Sequence, residues 1–212
     1  MMQDVKRSYD SSGRTRQAQE NRDRISRVAH DLFVEHGYGN TTIAGVAKAA
    51  GVSQETVYKA FGNKATLLRR AWFVMMRGDA EDKTLYDRPE TQAVLERADL
   101  ADRIDGFARL ITERNRRIAP LLRAVEGAAA AEPGAREMLD TWKARLIDVA
   151  TKFAHSAAET EQLAIPEEEC RDITYAMLDG ALWHRFVVER GWTDERYAEW
   201  LSAQLRRQFT TT

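Results

Sequence analysis

Five side chains within eleven residues could do chemistry on a charged, hydrogen-bonding partner: Gln54, Glu55, Tyr58, Lys59 and Lys64. A glutamine amide gives and takes a hydrogen bond at once, the pattern shown by an adenine edge in the major groove of DNA. A tyrosine hydroxyl and lysine ammonium groups reach phosphate oxygens, and Thr42, Ser53 and Thr56 add hydroxyls able to meet bases or phosphates in the same stretch. Catalytic sets are harder to find. Of His30, His36, His155 and His184, none has a Glu three positions earlier, so the Glu-x-x-His pairs of a di-iron bundle are not written. No HExxH, no GxSxG and no Gly-rich phosphate loop occurs. Cys170 is the only cysteine, which excludes an intrachain disulfide and a CxxC metal site and fits a reducing cytoplasm. We expect no enzyme, metal or cofactor.

The elements that must position these residues follow from local spacing. Ile25, Val28, Ala29, Leu32 and Phe33 make one apolar stripe of a helix that Gly37 ends. Thr42 is placed to cap a short helix carrying Ile43, Val46 and Ala47, which stops at Ala50-Gly51. Ser53 caps a third helix over about 54–61, with Glu55 in its first turn and Val57 and Phe61 on its buried side. Gly62 ends it, and Asn63 caps a fourth helix expected to reach about Tyr86. Helix, tight glycine turn and helix form a helix-turn-helix, whose second helix can lie in the major groove and offer its first residues to base edges.

Composition points the same way. The chain has 31 Ala against 20 Val plus Ile, and its four prolines all lie beyond residue 88, which predicts an all-helical protein. Its 212 residues suffice for one large or two small domains. The net charge of −1 hides a division: 12 Lys/Arg against 7 Asp/Glu in residues 1–70, and 20 against 26 in residues 71–212, or +5 and −6. A basic segment joined to an acidic one points to nucleic-acid contact at the basic end. The longest apolar run, Ala71 to Met76, is six residues, far short of the roughly 20 a membrane span needs. The polar start of the chain shows no secretory signal. We therefore expect a cytoplasmic protein with no membrane partner.

Residues 24–72 resemble the N-terminal DNA-binding domain of the TetR family of transcriptional regulators. The resemblance rests on the run from Leu32 to Tyr38, on Thr41-Thr42, on Val46-Ala47 and Ala50-Gly51-Val52-Ser53, and on Thr56, Tyr58, Phe61 and Lys64. It implies a homodimeric repressor that binds a near-palindromic operator in double-stranded DNA and lets go when a small-molecule effector enters its C-terminal domain. Thr42, Tyr58 and Lys64 match family phosphate contacts, Gln54, Glu55 and Lys59 occupy variable base-facing positions, and Gly51 matches the turn glycine. Two residues depart from the pattern: Ala60 stands where an aromatic or His is frequent, and Gly45 replaces a usual charged residue.

The expected organisation is a flexible basic arm (1–20), a three-helix helix-turn-helix DNA-binding domain (21–70), and a C-terminal helical ligand-binding and dimerisation domain (71–212). In the last, helices are expected over about 101–119, 121–130 after Pro120, 133–158, 166–190 and from Thr193 onward, with loops at 87–100 and 159–165. An effector cavity among them would be lined by Met76, Phe107, Ile111, Leu122, Trp142, Leu146, Tyr175 and Asp179. The segment 166–190 is apolar nearly all round, so it should face both its own domain and a second copy. Gly180, Ala181, His184 and Val188, with Tyr197, Leu201 and Leu205 of the last helix, are the candidate dimer interface. Asp179 and His184 are ionisable groups on an apolar helix and need partners, either an effector or the other subunit. The competing readings are an all-helical enzyme or metal protein, and a helix-turn-helix adaptor for another protein, which leaves Tyr58 and Lys64 unexplained.

Overall fold

The computed structural model describes residues 11–77 and 88–211, and among these every regular element is a helix. The chain divides into two compact units, Met1–Val74 and Met75–Thr212.

The first unit contains α1 (Ser11–Asn40), α2 (Ile43–Ala49), α3 (Gln54–Phe61) and most of α4 (Lys64–Arg77). Its core is the set of stripes read from the spacing: Ile25, Ala29 and Phe33 of α1, Val46 of α2, Val57 and Phe61 of α3, and Leu67 and Leu68 of α4 are all buried. Full burial of such side chains stabilises by roughly 1.5–3 kcal/mol each, which is what holds helices as short as α2 and α3. α1 breaks helical geometry at Gly37 (φ 71°), where the stop was expected. Its beginning differs from expectation. Of the arm at 1–20, residues 1–10 lie outside the described residues, and 11–20 are helical where no helix was expected. The sequence there lacks apolar residues but supplies i,i+4 partners: Gln19 donates to Asp23 at 2.9 Å, and Arg16 stands 3.9 Å from Glu20. Beyond Arg77, the part of the expected fourth helix at 78–86 lies outside the described residues.

The second unit is built on α6 (Leu100–Ala129), against which α5 (Pro89–Leu95), α7 (Pro133–Ala158) and α10 (Asp194–Phe209) pack; α8 (Glu167–Leu178) lies on α7. Three expectations need correction. A single helix runs through Pro120, where two were expected. An interior proline costs about 3 kcal/mol, but Ile118, Ala119, Leu121 and Leu122 on either side are all buried, and that packing offsets the loss. Within the expected loop 87–100 lies α5, started by Pro89 and anchored by buried Thr91, Val94 and Leu95. It sits so close to α6 that a Cβ on Gly106 would lie 2.7 Å from Val94 Cγ2.

The third correction concerns 166–190, which is interrupted. α8 ends at Leu178, Gly180 turns left-handed (φ 84°), and the short α9 (Ala181–Trp183) continues as a π-helical turn (His184–Glu189). No proline announces this break. Asp179 Oδ1 accepts the Ala181 N–H at 2.8 Å, and a Cβ on Gly180 would meet Ala119 Cβ at 3.1 Å, so glycine answers both the backbone angle and the close approach. The last helix is capped as expected, Thr193 Oγ1 accepting the Arg196 N–H. Its inner face is pinned to α6 by Asp105, which accepts from Ser202 and from the Arg206 guanidinium.

Burial opposes ionisation of Asp105, but the hydrogen bonds from Ser202 and Arg206 and the charges of Arg206 and Arg109 outweigh it and hold the carboxyl below the ordinary carboxylate range. A depressed folded-state value gives stability that is present above the ordinary carboxylate range and is lost as pH falls through the folded value. Urea unfolding of Asp105→Asn should therefore show a flatter loss of stability on acidification below pH 4 than the parent, and equal slopes would exclude the pin as an acid-sensitive element. Glycine substitutions separate packing from propensity. Gly106→Ala should lower unfolding stability by about 1–3 kcal/mol through the clash with β-branched Val94. Gly127→Ala, which meets nothing within 4 Å, should raise it by about 0.5–1 kcal/mol.

Candidate functional site

The turn between α2 and α3 is a Schellman motif followed at once by an N-cap. Gly51 is left-handed (φ 65°), its N–H donates to Lys48 O at 3.2 Å, and the Val52 N–H reaches back to Ala47 O at 3.0 Å. One residue later Ser53 Oγ accepts the Thr56 N–H at 3.1 Å and lies 2.8 Å from Thr56 Oγ1. Thr42 caps α2 likewise, accepting the Gly45 N–H at 3.0 Å; a Cβ on Gly45 would come 3.2 Å from that hydroxyl, which relates the unusual glycine to the cap. Between these fixed ends α3 buries Val57 and Phe61 and leaves Gln54, Glu55, Tyr58 and Lys59 exposed, Tyr58 by 52%. An aromatic ring so open on an eight-residue helix is not part of a core.

Lys64 behaves differently from Lys59. It is half-buried, its Nζ donating to Tyr38 O at 2.9 Å and lying 4.1 Å from the centre of the Tyr38 ring. The two threonines divide their work as well. Thr41 is buried and shares its hydroxyl proton between the carbonyls of Leu32 and Gly37, while Thr42 is exposed. Sequence reasoning missed Arg24, which donates to the Ala50 carbonyl at 2.6 Å and so ties α1 to the turn; nothing in local spacing marks it, because its partner is 26 residues away. It also missed the ion pair of Arg70 with Asp23 at 2.8 Å, which joins α4 to α1.

In the second unit Phe107, Ile111, Leu122, Trp142 and Leu146 are buried, Tyr175 is half-buried, and Asp179 is exposed; the side chain of Met76 lies outside the described residues. Phe107 stacks on Phe153 with ring centres 4.1 Å apart, as a core residue does. Trp142 faces the guanidinium of Arg114 at 5.5 Å. A cleft of about 550 Å³ opens elsewhere, between Asp105 and Arg109 of α6 and Glu195, Glu199 and Arg206 of α10, and none of the expected lining residues borders it.

The expected dimer residues divide. Tyr197, Leu201 and Leu205 are fully buried within one chain, because the i+4 stripe of α10 is spent on α6, so they are not surface for a second copy. Gly180 is buried against Ala119 and Asn115 of its own chain. Ala181 and His184 are half-buried, and Val188 is 54% exposed. His184 Nε2 lies 3.6 Å from Glu189 Oε1.

Residues 25–71 match the family model for bacterial regulatory proteins of the TetR family. The N-terminal unit carries a TetR-family domain. Over 60 residues the chain is 38% identical to an HTH-type transcriptional regulator of Staphylococcus aureus (strain USA300), a stretch that is 28% of this chain and 31% of that relative. The chain thus matches about a third of the length of the curated relatives. Similarity in fold reaches further. The crystal structure of the TetR-family transcriptional regulator PfmR from Thermus thermophilus superposes with a TM-score of 0.62 at 20% identity, covering 87% of this chain and 92% of that one. NalD of Pseudomonas aeruginosa, the secondary repressor of the MexAB-OprM multidrug efflux pump, gives 0.60 at 20% identity over 92% and 98%.

The TetR-family domain is thus held by local caps at the starts of α2, α3 and α4 and by a few cross-links from α1 and α4. Removing them should register in melting rather than in fold. Ser53→Ala should cost about 1 kcal/mol through the lost cap. Lys64→Met should cost about 1–3 kcal/mol through the lost bond and ring contact to Tyr38. Thermal unfolding of the two variants beside the parent checks both, and an unchanged melting temperature for Lys64→Met would rule out the anchoring role.

Proposed function

We propose that the protein is a transcriptional repressor that binds a near-palindromic duplex as a homodimer and is released by a small-molecule effector held in its C-terminal unit. The observation that carries this reading is α3: a helix of a TetR-family domain that turns Gln54, Glu55, Tyr58 and Lys59 to solvent while Val57 and Phe61 fix it from behind. In this reading Gln54, Glu55 and Lys59 meet base edges. Thr42, Ser53, Thr56, Tyr58 and Lys64 meet or position phosphates, and Gly51 sets the angle between α2 and α3. The +5 balance of residues 1–70 supplies the sequence-independent attraction. A repressor role is supported by the similarity in fold to NalD. Two copies pair through Ala181, His184 and Val188 together with the half-exposed Trp200, whose ring lies 4.8 Å from Phe186.

Selection of bound duplexes from genomic fragments with the purified protein should enrich a palindrome, and no enrichment would sink the reading. On the enriched duplex, Lys64→Ala should weaken all sequences by a similar factor and lower the slope of log affinity against log salt by about one. Gln54→Ala should instead erase about 1–3 kcal/mol of preference at one base pair per half-site. Sedimentation should give a dimer for the parent and a monomer for Val188→Glu; a monomeric parent would remove the pairing.

A further inference from the structure

Among the described residues of the C-terminal unit, a buried cation stands without a counter-charge. Arg114 of α6 is only 7% exposed, and no described carboxylate lies within ion-pair distance of it. Burial pushes its pKa down, to about 10, against the opposing pull of Tyr197 and Asp179. It sits where helices meet: the Trp142 ring of α7 faces it at 5.5 Å, and it donates to the Leu178 carbonyl at the end of α8 and to Asn115 Oδ1 at 2.9 Å. Asp179 acts on it through space, but that side chain is exposed and one of its oxygens is engaged by the Ala181 N–H.

The surroundings are short of acceptors rather than donors. A guanidinium carries five N–H groups, and the only acceptors it meets among the described residues are one side-chain amide oxygen and one carbonyl. Asn115 is 2% exposed, and its Nδ2, with two further N–H groups, has no partner among the described residues. The Tyr197 hydroxyl, on a fully buried side chain, has none either. Burial raises the pKa of that phenol, as does Asp179, and Arg114 only partly opposes them, so it stays an O–H donor. An unmatched buried charge with unmatched donors beside it is costly, and the same groups recover that loss when an anion with several lone pairs arrives.

We infer that Arg114, Asn115 and Tyr197 form a subsite for the carboxylate of a small organic acid. A carboxylate matches the planar fork of a guanidinium through two parallel hydrogen bonds and leaves lone pairs for the amide and the phenol. A single guanidinium balances a single negative charge, whereas a phosphate dianion would leave one buried charge uncompensated. Buried Ile111, Ile118 and Trp142 alongside it make the neighbourhood apolar, so the acid carries an apolar body. This deepens the proposed regulatory role by naming the chemical class of the effector, and it rests on that role only for the effect of binding on DNA release.

The test is calorimetric titration of the whole free protein with acetate, benzoate and octanoate, each beside its matched neutral amide. At least one carboxylate should saturate one site per chain and bind about tenfold or more tighter than its amide, a gap of about 1.4 kcal/mol. Arg114→Met should erase that preference. Tyr197→Phe, which removes only a hydroxyl without a partner among the described residues, should keep the fold and weaken the carboxylate about threefold while leaving the amide unchanged. An arginine that merely closes the end of α8 predicts no difference between acid and amide in the parent and none on Tyr197→Phe. The inference is overturned if no carboxylate of the series outbinds its amide, or if Arg114→Met retains the preference. Should Arg114→Met not fold, unchanged carboxylate affinity in both Tyr197→Phe and Asn115→Leu overturns it. Because these titrations contain no DNA, they separate the two readings. A carboxylate that binds here yet leaves duplex binding intact keeps the subsite and removes its role in release. Carboxylate binding without any selected duplex removes the regulator alone.

Discussion

The C-terminal unit is governed by one constraint: α6 is covered on several sides at once. Of its 30 residues 17 are buried, with α5, α7 and α10 all packed against it, so exposed polar side chains are confined to the stripe of Asp102, Arg109, Glu113, Arg116, Arg123 and Glu126, and the buried positions must be apolar. Most positions satisfy this with Ile, Leu, Val and Ala. The exceptions define the unit. Gly106 exists to let α5 approach, Asp105 faces α10 and pins it through Ser202 and Arg206, and Arg114 with Asn115 carries polarity into the interior. α8 ends where Arg114 meets its last carbonyl, and the left-handed Gly180 then fits against Ala119 and Asn115. The break in the segment 166–190 is in this sense written on α6.

What was legible in the sequence was what local chemistry decides. Caps at Thr42, Ser53, Asn63 and Thr193 each act within three residues, and all four hold. The glycines at 37, 51, 62 and 191 stop helices through their own backbone angles. The stripe of α1 and the limits of α7 were equally readable. Features set by distant partners were not. Pro120 reads as a boundary, and only burial around it keeps the helix going. Gly180 reads as a tolerated glycine, because its partners Ala119 and Asn115 lie on another helix far back along the chain. The i+4 stripe Tyr197, Leu201 and Leu205 announces a buried face but not what buries it, and the answer was the same chain. One signal was present and unread: Arg114 falls on the stripe that runs from Ile104 through Phe107 and Ile111 to Ile118, and a charge on such a stripe marks a buried polar site.

For the candidate DNA-facing residues, spacing placed α3 and separated its two faces, since Val57 and Phe61 against Gln54, Glu55, Tyr58 and Lys59 is a matter of helical period. It did not reveal how the helix is held. Arg24 on the Ala50 carbonyl and Arg70 on Asp23 are contacts of side chains across 26 and 47 residues, and they make α1 and α4 a frame for the turn. Charged residues of the basic segment are thereby of two kinds, those spent within the domain and those left facing solvent, and a net count does not distinguish them.

The placement of Lys64 has a consequence for speed and order. Fixing a free lysine stem removes roughly 1.5–2 kcal/mol of rotamer freedom. At Lys64 that loss is taken when the domain folds, because the ammonium is already set on the Tyr38 carbonyl and ring. At Lys59, which is exposed, it is taken only on contact. An anion arriving at the first turn of α4 thus meets a cation with little entropy left to lose, while one arriving at α3 must first still a moving chain. The two lysines, five residues apart, stand at opposite ends of that scale: one pre-set, the other adaptable.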